Sequence, residues 1–311
     1  MSHFTRALQE YLTLRRSLGA ILSGPERHLR HFVGFLEREG AEVITTDLAM
    51  RWVSAPGRAS LATRAARLGD VRRFAAWLSA SQPGTEIPPR DLLPQRHRRT
   101  PPYIYSDTEI ARLLDAAERL PSPTGLRART YTTLFGLIAV TGLRLSEAVA
   151  LDRDDVDLDN GVLAVRRGKF GKARFVPLHD TTQAALRTYA RTRDRLRPRP
   201  ATPALFIAEH RQRVTSWSAR YTFAVISRAI GLRGPTLDNR HGHGPRIHDL
   251  RHRLAVRTLI RWYREGRDVE RELPKLATYL GHAHINDTYW YLQAVPELLQ
   301  LATERATDHT S

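Results

Sequence analysis

Four short motifs in the second half of the chain carry residue types that can work on a phosphodiester. TGLRLSE holds Arg144, GKFGKARFVPL holds Lys169 and Lys172, IHDLRH holds His248 and Arg251, and YLGHAHINDTYWYL holds His282 and, nine residues later, Tyr291. Breaking a phosphodiester by nucleophilic attack without a metal requires cations around the non-bridging oxygens, a nucleophile, and an acid for the leaving 5′ oxygen. Guanidinium groups at 144 and 251 can grip phosphate oxygens bidentately. His248 and Arg251 are three residues apart and share one face of a helix. A lysine of lowered pKa can release a proton that an arginine holds at any accessible pH. Of 49 basic residues only Lys169, Lys172 and Lys275 are lysine, and the first two sit in one turn.

Each motif also has a plainer reading. An arginine among leucines is usually a surface residue, two lysines in a turn can be coincidence, and the cluster Tyr289, Trp290 and Tyr291 can be core packing. Tyr289 and Tyr291 point about 200° apart on a helix, so only one can face a given site. His248 and His252 stand at a spacing that can hold zinc. Arg246, Arg251 and Arg253 would crowd the cation there, and the glutamate of an H-E-x-x-H motif is missing, so no metal and no cofactor is expected. The Gly168-Lys169 pair lacks the spacing of a nucleotide-binding loop.

The elements that must position these residues fall into two domains joined by a linker. Residues 1–85 read as a small helical bundle, with helical spacing in Phe4, Leu8, Tyr11 and Leu12, in Leu29, Phe32, Val33 and Leu36, and in Val71, Phe74, Ala75 and Leu78. Thr46 and Ser60 are candidate N-caps. The helix after Ser60 carries Arg64, Arg67, Arg72 and Arg73, candidates for DNA contact, though a solvated arginine-rich face accounts for any one of them equally well. Residues 86–104 form a proline-rich linker whose basic run, Arg96, Arg98 and Arg99, could follow a DNA backbone. A second domain, 105–311, starts at the capping-box pattern of Ser106 and Glu109. It is expected to be mainly helical with a small antiparallel sheet of three strands. Asn160-Gly161 reads as a two-residue hairpin turn, and VLAVRR and ARFVPL as strands flanking the GKFGK turn.

Composition narrows the classes. The chain of 311 residues carries a formal charge of +17, spread along its length, which favours a polyanionic partner. With no cysteine, disulfides, thiolate metal sites and cysteine nucleophiles are excluded. No stretch approaches the ~20 apolar residues of a membrane span and the N-terminus lacks a signal-peptide pattern, so a cytoplasmic protein is expected.

In order and spacing the four motifs resemble the tyrosine recombinase (phage integrase) family, throughout the second domain and more loosely in the first. The resemblance implies a two-domain DNA clamp: a helical core-binding (SAM-like) domain and a catalytic domain that cleaves and rejoins DNA at specific sites through a 3′-phosphotyrosyl intermediate. It implies Arg144 and Arg251 as the pair holding the scissile phosphate, His248 and His282 as further phosphate ligands with His248 also suited to accept the tyrosine proton, Lys169 as general acid, and Tyr291 as nucleophile. The turn departs from the family pattern because Phe170 stands where many relatives have glycine, leaving Lys172 a second candidate acid. Double-stranded recombination sites and a homotetramer on DNA follow as partners. The closing D-T-Y-W-Y-L and P-E-L-L look most like recombinases of transposons and plasmids. Val295, Leu298, Leu299 and Ala302 form an apolar stripe for a neighbouring protomer or for the chain itself. A type IB topoisomerase, a catalytically silent DNA-binding accessory factor and a metal-dependent nuclease are the competing readings.

Overall fold

The computed structural model describes residues 2–55, 57, 59–93, 101–166, 173–199, 201–234, 244–282 and 284–308. They fall into two compact units, Met1–Thr100 and Pro101–Ser311. The first comprises helices α1 (His3–Ser17), α2 (Ser23–Arg38), α3 (Thr46–Ser54) and α4 (Leu61–Leu78). Their apolar stripes close on one core that includes Phe4, Leu12, Phe32, Leu36, Trp52, Val71 and Phe74. Thr45, not Thr46, caps α3, its hydroxyl accepting from the Leu48 amide; Ser60 caps α4 by accepting from the Thr63 amide. A cap must be extended while the next residue is already helical, and Thr45 meets that requirement one position earlier than expected. On α4, Arg72 donates to the carbonyls of Pro88 and Pro89, and Arg73 pairs with Asp70, which His28 also contacts. Arg64 and Arg67 are half-buried. Arg96, Arg98 and Arg99 lie outside the described residues.

The second unit opens with α5 (Asp107–Glu118), whose Ser106–Glu109 capping box is present as expected. Helix α6 (Leu126–Thr141) is apolar on most of its circumference and accordingly runs through the core, touching α5, α8 (Asp180–Leu196) and α10 (Ile247–Arg264). The short α7 (Leu145–Ala150) leads to an antiparallel sheet in the order β1 (Val156–Asp157), β2 (Val162–Val165), β3 (Arg174–Pro177). Its register pairs Val156 with Leu163 and Leu163 with Val176, burying Leu163 and Val176 together. The first connection is not a two-residue turn. Pairing of Asp157 with Val162 leaves four residues in the loop, and the Asp157 carboxylate accepts the amides of Asp159 at 3.1 Å and Asn160 at 2.9 Å. That side chain satisfies the loop amides locally, so only Gly161, at φ 65°, needs left-handed backbone. The GKFGK turn, with Lys169 and Lys172, lies outside the described residues.

Helices α9 (Ser216–Ala229), α10, α11 (Val269–Leu280), α12 (Asn286–Ala294) and α13 (Pro296–Asp308) complete the unit. Asp268 caps α11, and Pro274 is accommodated inside it. Val295 and Leu298 join the core formed by α10, α11 and Tyr291, so the inner part of the C-terminal stripe packs within the chain. No helix among the described residues is long and apolar enough to cross a membrane.

Candidate active site

The site assembles around one end of α11. A helix leaves its last carbonyls without intrahelical partners, and those carbonyls carry the negative end of the helix dipole. Gly281, in the left-handed conformation at φ 68°, ends α11. The carbonyls just before and at this turn are each taken by an arginine: Tyr279 O by Arg174 Nε at 2.9 Å, Leu280 O by Arg251 Nη2 at 2.6 Å, and Gly281 O by Arg144 Nη2 at 2.7 Å. Arg251 donates a second bond, Nη1 to Gly142 O at 2.7 Å. Arg144 and Arg251, 107 positions apart in the chain, therefore hang from adjacent carbonyls.

Gly142 makes the approach possible. It closes α6 at φ 65°, and a Cβ there would meet Leu254 Cδ2 at 2.8 Å and Leu280 Cδ2 at 3.1 Å. Arg144 is the N-cap of α7, and Glu147 on that helix accepts its backbone amide at 3.0 Å and its Nη1 at 2.8 Å. The same carboxylate takes Arg174 Nη1 at 3.1 Å and Nη2 at 2.8 Å. Burial would raise the Glu147 pKa, but the bonds from Arg174 and Arg144 outweigh it and hold the carboxyl below its ordinary value. One carboxylate set against three guanidiniums leaves a positive charge that an anion would offset. Desolvation, and then the neighbouring Arg144, push the Arg251 pKa down to about 10.

Tyr291 projects from α12 into this cluster. It is 1% exposed, against 37% for Tyr289, so the inward ring is that of Tyr291. Its hydroxyl lies 2.7 Å from His252 Nδ1. The His282 ring stacks at 6.4 Å from the Tyr291 ring, and its Nδ1 lies 2.7 Å from Thr288 Oγ1. His248, one turn before His252 on α10, meets that imidazole edge-on at 4.5 Å. Desolvation, then nearby positive charge, pushes the pKa of His252 and His282 down to about 3. His248 keeps an edge open to solvent, yet desolvation by the protein behind it and the charge of Arg251 move it the same way, to about 4. With His252 neutral and its ring proton on Nε2, Nδ1 accepts from the Tyr291 hydroxyl.

Five of the residues singled out in the sequence, Arg144, His248, Arg251, His282 and Tyr291, thus converge. Three others do so without having been assigned a role from sequence. Glu147 and Arg174 stand inside the quoted motifs, and a carboxylate three residues after Arg144 was a readable signal for the first. His252 was weighed only as half of a zinc pair.

Residues 104–297 match the phage integrase family model. The Sinorhizobium fredii sequence y4rB, named for an integrase/recombinase, is 48% identical over 98% of this chain and 97% of its own. The tyrosine recombinase XerD of Neisseria meningitidis serogroup B is 30% identical over 94% of each chain. The chain belongs to the phage integrase family, the tyrosine recombinases, and is a DNA breaking and rejoining enzyme. Among solved structures, the Tn1549 transposon integrase with a circular intermediate DNA matches with a TM-score of 0.65 at 15% identity, over 96% of this chain and 99% of that one. The XerH site-specific recombinase in a post-cleavage complex matches with 0.64 at 20% identity, over 90% and 77%. These two likenesses show the fold.

Proposed function

We propose that Tyr291 attacks a DNA phosphodiester held by Arg144 and Arg251. The observation that carries this reading is Tyr291, buried within electrostatic reach of the Arg251 guanidinium, which hangs with that of Arg144 from adjacent carbonyls where one carboxylate faces three guanidiniums. In this scheme the phenolic oxygen forms a bond to phosphorus while the bond to the 5′ oxygen breaks. The phenolic proton passes to a histidine of the cluster, His248 or His252, and the 5′ oxygen takes a proton from Lys169, with Lys172 as second candidate. His248 and His282 add phosphate ligands. The 3′-phosphotyrosyl link keeps the energy of the phosphodiester, so the 5′ hydroxyl of another strand can reverse it without ATP and without a metal.

The partner is a double-stranded recombination site. Residues 1–85 serve as the core-binding domain, 86–104 as the linker and 105–311 as the catalytic domain, with Arg64, Arg67, Arg72, Arg73, Arg96, Arg98, Arg99 and Lys172 as DNA-contact candidates. Exchange between two sites requires a homotetramer, the assembly in which lambda integrase was crystallised on a Holliday junction. Likeness to a transposon integrase favours mobile DNA as the substrate.

The test is a nicked suicide duplex carrying the native site, incubated with the protein in EDTA and run on a denaturing gel. A slow covalent adduct that is lost in Tyr291→Phe and kept in Tyr289→Phe is expected. Absence of adduct on a site the protein binds would leave a DNA-binding accessory factor as the better account.

A further inference from the structure

The arginine of the ARFVPL strand has no part in the scheme above, yet its surroundings are unlike those of a surface residue. Arg174 opens β3 with its side chain 11% exposed. Its Nε binds the Tyr279 carbonyl, and its two terminal nitrogens fork onto the two oxygens of Glu147. Glu147, 2% exposed, also takes Arg144. One side chain therefore touches both devices that fix Arg144: the carboxylate, and the end of α11 whose next carbonyls hold Arg251 and Arg144. The fit is close. A Cβ at position 281 would lie 2.8 Å from Arg174 Nη1 and 3.0 Å from its Cζ, so the glycine of the L-G-H motif leaves room for this guanidinium as well as ending the helix.

We infer that Arg174 is a positioning residue for the phosphate-holding pair, occupying Glu147 so that the Arg144 guanidinium stays available to DNA. The inference rests on the function proposed above. A buried carboxylate needs a cation at hydrogen-bond distance. With Arg174 in place, its fork satisfies both oxygens of Glu147, and Arg144 adds one bond from its backbone amide and one from its guanidinium. Without Arg174, Glu147 would draw Arg144 onto both of its oxygens and away from the phosphate. Lysine cannot stand in, because a single ammonium cannot fork onto a carboxylate and also hold the Tyr279 carbonyl in the same geometry.

The test is the single-turnover rate of covalent adduct formation at saturating protein, on the nicked duplex, with DNA affinity and thermal melting measured in parallel. Arg174→Ala and Arg174→Lys are each expected to slow cleavage by roughly 10- to 100-fold with little change in DNA affinity, the scale of coupling between residues in one ion-pair network. In Arg174→Ala/Arg144→Ala the rate should equal that of Arg144→Ala alone. In Arg174→Ala/Glu147→Gln part of the lost rate should return, since the neutral amide no longer captures Arg144; an ion pair that merely stabilised the fold would not give this recovery. Where Arg174→Ala melts below the assay temperature, Arg174→Lys and Gly281→Ala, which displaces the same guanidinium, read the same effect. Wild-type rates in Arg174→Lys, or losses that multiply with Arg144→Ala, would overturn the inference while the tyrosine chemistry stands. Absence of wild-type adduct would instead overturn the proposed function, and this inference with it.

Discussion

At the scale of single residues, the cluster around Tyr291 combines groups whose charge states depend on burial. The buried Tyr291 hydroxyl lies 2.7 Å from His252 Nδ1. Replacing His252 by leucine leaves a buried hydroxyl without this partner, and unfolding stability should fall by about 1–3 kcal/mol, measurable by denaturant titration. The three histidines also set a pH dependence. Their folded pKa values, about 4 for His248 and about 3 for His252 and His282, lie below the ordinary 6.5. Between these values the unfolded chain binds protons that the folded chain refuses. The stability they contribute is thus full above pH 6.5 and is lost as pH falls toward 4 and then 3. Thermal melts should show Tm declining from pH 7 to pH 5, and a smaller decline in His282→Gln. A flat profile over that range would contradict the neutral-histidine cluster.

At the scale of elements, the site depends on how two turns are closed. Gly142→Ala puts a Cβ into a left-handed residue, a cost of about 1–2 kcal/mol, and drives it against Leu254 and Leu280. Because Gly142 O holds Arg251, the variant should lose both melting temperature and adduct formation, whereas Gly136→Ala, whose Cβ meets only ordinary contacts with Leu114, should lose neither. The C-terminal helix gives a second contrast. Leu298 is fully buried in the core beside Tyr291, and Leu299 is 56% exposed. Leu298→Ala should cost about 2–5 kcal/mol of stability. Leu299→Ala should leave stability within about 0.5 kcal/mol of wild type, and any defect it shows should appear in assembly on paired DNA sites, read by gel-shift stoichiometry.

At the scale of the whole molecule, the charge of +17 belongs to both units and sets how the chain meets DNA. Phosphate contacts release counterions, so log affinity should fall linearly with log salt, by about 0.9 per phosphate neutralised. Replacing Arg96, Arg98 and Arg99 together by glutamine should reduce that slope by about 2–3 if each meets a phosphate. The cleavage rate at saturating protein should be unchanged, since these residues stand apart in sequence from the catalytic motifs. A slope equal to wild type would remove the basic run from the DNA interface.

Much of this molecule was written in local sequence because local physics sets it. Helical spacing marked the apolar stripes of α1, α2 and α4, the pair Ser106 and Glu109 marked the start of α5, and two strands flanked the lysine turn, since periodicity, capping and turn chemistry act over a few residues. The candidates Arg144, His248, Arg251, His282 and Tyr291, which the fold brings together, stood out for another reason: few side chains can hold a phosphate or attack it. Other features needed the fold. Whether the loop after β1 had two residues or four turned on where the Asp157 carboxylate found its donors. Which tyrosine faces inward depended on how α12 docks against α10. The partnership of Glu147 with Arg174 and of His252 with Tyr291 joins positions 27 and 39 residues apart. The arginines' carbonyl partners at Tyr279, Leu280 and Gly281 are backbone atoms, which no residue identity announces; only the packing of α6, α7, β3 and α10 around the end of α11 decides that these carbonyls, and not water, receive them.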